Sequence, residues 1–139
     1  MSTLHPDYEL VVGPPSIDDY CRLRRQSGLS ERTPEAAARG LPNTLYGVTV
    51  RHGGAVVGMG RIIGDGGCCF EVVDMAVVPA HQRRGLGKSI MGALMAWLRA
   101  NAPSSSIVTL IADGDASRLY AQCGFRPAAP HAQGMLMIL

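Results

Sequence analysis

Aromatic residues are scarce in this chain, with one tryptophan, two phenylalanines and four tyrosines making up 5% of its 139 residues. A platform for stacking nucleic-acid bases needs more of them on one surface, so that class is set aside. A large excess of one charge is missing as well. The net charge is only +2, and the local positive excess sits at Arg22-Leu23-Arg24-Arg25 and at Arg83, Arg84 and Lys88, which argues against a general nucleic-acid-binding face. No uninterrupted apolar run approaches the ~20 residues of a spanning helix, so no membrane partner is expected. The amino-terminal stretch MSTLHPDYEL has no basic segment ahead of an apolar core. No signal peptide is therefore expected, and the protein reads as soluble and cytoplasmic. Cys21, Cys68, Cys69 and Cys123 show no Cys-x-x-Cys spacing and no adjoining histidine, so they read as reduced, partly buried thiols and no metal is implied.

What is present describes a folded globule, with 47% hydrophobic and 17% charged residues. The length suits one domain over residues 1–139, without repeats, low-complexity tracts or linkers. Tyr8 to Val12 reads as a first strand, closed by Gly13-Pro14-Pro15. Ser16 is an expected N-cap for a helix carrying Arg22, Arg24 and Arg25, which Ser27-Gly28-Leu29-Ser30 breaks. Thr33-Pro34-Glu35 opens an alanine-rich second helix ending at Gly40. From Thr44 to Val77 the period is that of strands, turned at Arg51-His52-Gly53-Gly54 and again at Gly64-Asp65-Gly66-Gly67. Gly58 and Gly60 inside a strand mark a bulge or the close approach of another group.

The chain is organised around Val72 to Ala100, VVDMAVVPAHQRRGLGKSIMGALMAWLRA. A valine-rich strand is stopped by Pro79, a basic loop follows, and Leu86, Ile90, Leu94 and Trp97/Leu98 then fall on one helical stripe. A helix start offers unpaired N–H groups and partial positive charge, Gly85 and Gly87 let a ligand reach the backbone, and Arg83, Arg84 and Lys88 add full charges. A polyphosphate suits this better than a lone carboxylate. It is not a Walker A loop, because the glycine required five positions before Gly87-Lys88-Ser89 is Gln82. Nor is it a dinucleotide fingerprint, because the third small residue would be Ile90, or Ile63 for a start at Gly58.

After the central helix, Ile107 to Ile111 reads as a buried strand parallel to its predecessor. Asp113-Gly114-Asp115 leads into a short helix from Ala116 to Cys123, capped by Gly124. Met135 to Leu139 is expected to close the sheet.

Gln82-Arg83-Arg84-Gly85-Leu86-Gly87, preceded by Met75-Ala76-Val77-Val78-Pro79 and followed by Tyr120-Ala121-Gln122-Cys123-Gly124-Phe125, resembles the GNAT superfamily of acetyl-CoA-dependent N-acetyltransferases. The family pattern Gln/Arg-x-x-Gly-x-Gly/Ala is matched from Gln82 to Gly87. The resemblance implies an α/β (α+β) fold with a mixed, mostly antiparallel sheet of six to seven strands and about four helices. In it, a parallel pair splays at the acetyl-CoA site. It places the pantetheine arm on Met75, Ala76 and Val77, and the pyrophosphate on Gln82, Arg83, Arg84, Gly85, Leu86, Gly87 and Lys88. It also implies a homodimer, and acceptor contacts around the first two helices, although any single arginine there reads more simply as part of a solvated face.

Acetyl transfer to an amine needs a neutral amine, donors for the developing oxyanion and a proton for the departing thiolate. Tyr120, four residues before Gly124-Phe125, matches the family's acid. Glu71 and Asp74 are the candidate bases, and strand alternation puts them on opposite faces unless a bulge resets the phase. Asp113 stands where several members carry a cofactor-contacting asparagine, and an ionised carboxylate cannot donate that hydrogen bond. Cys123 lacks a paired histidine and is not read as a nucleophile, and His81 beside the loop reads as an exposed histidine. The leading expectation is an acyltransferase acting on a small-molecule amine. A peptide or protein amine is the alternative acceptor, and a non-catalytic acyl-CoA-binding module the alternative class.

Overall fold

The computed structural model describes residues 4–139; Met1, Ser2 and Thr3, at the start of the stretch read above for a leader, lie outside the described residues. Strands β1 (Tyr8–Val12), β2 (Tyr46–His52), β3 (Ala55–Gly64), β4 (Cys69–Val77) and β5 (Ile107–Thr109) form one sheet in the order of the chain. The first four are antiparallel to their neighbours and β5 runs parallel to β4. Helices α1 (Ile17–Gln26), α2 (Pro34–Gly40), α3 (Leu86–Asn101) and α4 (Ser117–Gln122) complete it. Ser16 and Thr33 cap α1 and α2 as expected, their hydroxyls accepting from the N–H groups of Asp19 and Ala36. The turn between β3 and β4 is held by Asp65, whose Oδ1 accepts from the N–H groups of Gly67, Cys68 and Cys69.

The mixed, mostly antiparallel sheet with a parallel pair and four helices is the expected architecture, but among the described residues it has five strands, not six or seven. Met135 to Leu139 does not close it. These five side chains are exposed outside any regular element, Leu136 by 72% and Met135 by 89%. A run of apolar residues signals a demand for burial without naming the strand edge that would meet it. The strand expected over Ile107–Ile111 is also shorter, and Ile111 lies exposed beyond its end.

α3 packs on β2, β3 and β4 through Leu86, Ile90, Met91, Leu94 and Leu98, all buried. Burying such a side chain contributes roughly 1.5–3 kcal/mol, so this stripe anchors one face of the sheet. Gly58 and Gly60 lie beneath it. A Cβ on Gly60 would come 2.6 Å from both Ile90 Cγ2 and Met75 Sδ, which explains glycine inside a strand. Arg61, the next residue, points to the other face, where Tyr20 of α1 lies over it.

Two features shape the sheet where these layers meet. β4 carries a bulge, because Val73 pairs with Arg61 and Ala76 with Met59, so that Asp74 and Met75 together face Gly60. Asp74 adopts φ 58° there. The parallel pairing of β4 and β5 ends at Glu71 and Thr109, while β4 runs on to Val77. Beyond that point β4 has no neighbour on its β5 side.

Candidate active site

The loop after β4 is tied down at both ends. Gln82 Nε2 donates to the Val77 carbonyl at 2.8 Å, and Arg84 Nη1 donates to Tyr8 Oη at 3.1 Å. Tyr8 also shares a 2.8 Å hydrogen bond with His81 Nδ1. His81 is held below its ordinary 6.5 by partial burial first, then by His52 and Arg84. Arg83 and Gly85 take left-handed φ values of 62° and 79°, folding the loop back into α3. The first helical bond of α3 runs from Ser89 N to Gly85 O, which leaves the amides of Leu86, Gly87 and Lys88 unpaired within the helix. The Leu86 side chain lies in the core, so it contributes no side chain to the loop surface.

A cavity of about 640 Å³ runs along the open side of β4, where it brings Glu71, Asp74, Met75, Gln82, Asp113 and Tyr120 together. Ala76, Val77 and the loop from Arg83 to Lys88 lie outside its lining. Tyr120 is buried, and burial first and the Asp113 charge second raise its phenol above the ordinary 10. It therefore keeps its proton at neutral pH.

The bulge cancels the alternation that would separate Glu71 from Asp74, so both reach the same cavity. Their surroundings differ. Asp74 accepts from Arg24 Nη1, from Arg61 Nε at 2.6 Å and from Tyr20 Oη at 3.0 Å, with its side chain only 6% exposed. Glu71 is half-buried and enters none of the ion pairs among the described residues.

Arg24 overturns the solvated-face reading of the first helix. Only 6% exposed, it also donates through Nε to Ser30 O at 2.6 Å and through Nη2 to Ser30 Oγ at 3.0 Å, while Arg25 is exposed as expected. Sequence reasoning gave neither Arg61 nor Tyr20 a part in the site. An arginine between Gly60 and Ile62, deep in an apolar strand, is the signal that could have found Arg61, since charge placed there demands a partner. Tyr20 is held above its ordinary 10, chiefly by burial and next by the Asp74 charge. Ser27 Oγ, the one buried side-chain polar atom without a partner among the described residues, belongs to a residue lining the same cavity. No group of three or more potential metal-ligating side chains occurs among the described residues, and no helix there is long and apolar enough to cross a membrane.

The acetyltransferase (GNAT) family profile matches residues 16–125. Among solved structures, a protein of unknown function from meticillin-resistant Staphylococcus aureus, described as a probable acetyltransferase, is 40% identical with a TM-score of 0.92, over 95% of this chain and 99% of that one. A GNAT-family acetyltransferase from Streptococcus pneumoniae has a TM-score of 0.77 at 24% identity, over 95% and 98% of the two chains, a likeness of fold. The comparison with curated proteins finds no match.

Proposed function

The chain belongs to the acetyltransferase (GNAT) family, and from that premise we propose that it transfers acetyl from acetyl-CoA directly to the primary amine of a small molecule in a ternary complex. The observation that carries this reading is the open side of β4. There, backbone from Val72 to Val77 has no strand on its β5 side, and at its end the chain turns into a helix whose first amides are unpaired within the helix.

The residues present fit the donor. A Cβ at Gly85 would meet nothing within 4 Å, so the loop surface is open to a ligand. Arg83, Arg84 and Lys88, with the amides of Leu86 and Gly87, would hold the diphosphate. Gln82 would keep the loop at the strand end, and the backbone of Met75, Ala76 and Val77 would pair with the pantetheine arm. Acetyl-CoA supplies an activated thioester when bound. Tyr120 gives its proton to the departing sulfur, which its raised pKa allows at neutral pH. A backbone N–H at the end of β4 donates to the carbonyl oxygen as charge develops there. Glu71 takes the amine proton, directly or through water, because it is free of ion pairs whereas two guanidinium groups occupy Asp74. Asp74 is a positioning residue, and Asp113 acts on Tyr120 rather than on phosphate, which it would repel.

Residues 1–139 act as one transferase domain. Four free thiols suit the cytoplasm. The exposed Met135–Leu139 segment supports a homodimer.

Tyr120→Phe tests the reading. In a thiol-release assay kcat should fall about a hundredfold while the Kd for CoA stays within about twofold. Unchanged turnover would remove Tyr120 from the mechanism, and absence of CoA binding to the folded protein would remove the reading itself.

A further inference from the structure

Arg24 and Arg61 are each more than nine-tenths buried, and the carboxylate they share, Asp74, balances only one of their two charges. Tyr20 adds no negative charge at neutral pH, because its phenol titrates above the ordinary range. An uncompensated guanidinium in so dry a position is costly unless an anion comes to it. Arg61 is also incompletely used. Its Nε donates to Asp74 and its Nη1 to Thr44 Oγ1 at 2.7 Å, while Nη2 takes part in neither bond.

Arg61 lines two adjoining cavities. One is the large cavity that holds Glu71 and Tyr120. The other, about 160 Å³, is bounded by Tyr20, Arg32, Ala36, Leu41 and Arg61 among others, and contains no carboxylate. Ser30 Oγ accepts from both Arg24 and Arg32, which draws a third guanidinium to this end. The two cavities share Tyr20, Arg32 and Arg61 in their linings, so the side where they meet presents excess positive charge, while Glu71 lines the large cavity only.

The spacing follows from strand register. Arg61 lies opposite Val73 and Ile63 opposite Glu71, and all four line the large cavity on one face. Arg61 and Glu71 are therefore offset by two residues along the strands, about 6.8 Å, plus one strand spacing of about 5 Å. A short molecule with an amine at one end and an anion at the other spans that distance.

We propose that the acceptor is a carboxylate-bearing amine of amino-acid type, whose carboxylate is bound by Arg61 with support from Arg32 while its amine is presented at Glu71. A single carboxylate matches the one unbalanced buried charge, which a phosphate dianion would exceed. This rests on the acetyltransferase reading above and assigns the acceptor class for that same site.

The test compares α-amino acids and ω-amino acids of two to six carbons with their primary carboxamides, which keep shape and amine but lose the charge. Thiol release gives kcat and KM, and calorimetry on the CoA-loaded protein gives binding without turnover. The carboxylates should be preferred by about ten- to a hundredfold in kcat/KM and in Kd. Arg61→Gln should abolish that preference, mainly through KM, and leaves the Arg24–Asp74 pair balanced one to one. Arg32→Gln, at an exposed position, should reduce it with no change in melting temperature. Carboxamides bound as well as carboxylates, a preference surviving Arg61→Gln in folded protein, or stronger binding of ethanolamine phosphate would each overturn the proposal while leaving acetyl transfer intact. Failure of CoA to bind would instead strike the donor site, and direct binding of the carboxylate probes to the apoprotein would still decide the anion site.

Discussion

Glu71 and Asp74 are both carboxylates on β4 and both line the cavity, yet their surroundings differ, and the tasks proposed for them differ accordingly. Two guanidinium groups and a phenol fill the acceptor positions of Asp74, so its loss leaves buried positive charge unpaired. Asp74→Asn should therefore lower stability by about 3–5 kcal/mol, as breaking a buried ion pair does. Glu71→Gln should leave the denaturant midpoint within about 0.5 kcal/mol of the parent and act on kcat instead. Chemical denaturation beside turnover separates the two, and the reverse pattern would exchange their roles. Asp113 raises the Tyr120 phenol through its charge. Asp113→Asn should thus move the alkaline limb of the kcat profile to lower pH, because a phenol relieved of a negative neighbour ionises sooner. Glu71 and Tyr120 could be singled out in the sequence because family spacing marks them. The pairing of Arg61 with Asp74 could not, since the two are thirteen positions apart across a turn and a bulge.

At the scale of elements, the loop between β4 and α3 is held by its tether to β1 through Tyr8, His81 and Arg84. His81 titrates below 6.5 when folded, so the unfolded chain takes up its proton first as the pH falls. Its contribution to stability is complete above pH 6.5 and is lost as the pH drops from there toward the lowered folded value. Melting curves from pH 7.5 to 5 should show this loss, and His81→Gln should flatten it; an unchanged acid slope would rule the imidazole out. Gly85 opens α3 with φ 79°. Gly85→Ala should cost about 1–2 kcal/mol of stability for the left-handed backbone alone, and CoA titration would show weaker binding as the loop relaxes. Glycine and arginine in the loop, proline before it and the apolar stripe after it made this element readable in advance, because each acts locally. The bulge at Asp74 was not readable, since register is settled between strands.

At the scale of the whole molecule, an extended apolar segment is exposed among the described residues. Met135 to Leu139 is exposed, and β5, with Ile107 62% exposed, forms the outer edge of the sheet. If two copies meet there, ending the chain after Gly134 should turn a dimer into a monomer in sedimentation velocity. A monomeric parent, or a dimer that survives the truncation, would remove the homodimer from the proposal. The order of strands and helices through α4 and the glycine-bearing basic loop before α3 were determined by the sequence alone. They rest on periodicity, capping and glycine placement, which act over a few residues. The tertiary structure decided where β4 and β5 part, which carboxylate is free, that Arg24 is buried, and that the last five residues find no edge. These depend on contacts between segments far apart in the chain, where burial and charge pairing, not local propensity, determine the outcome.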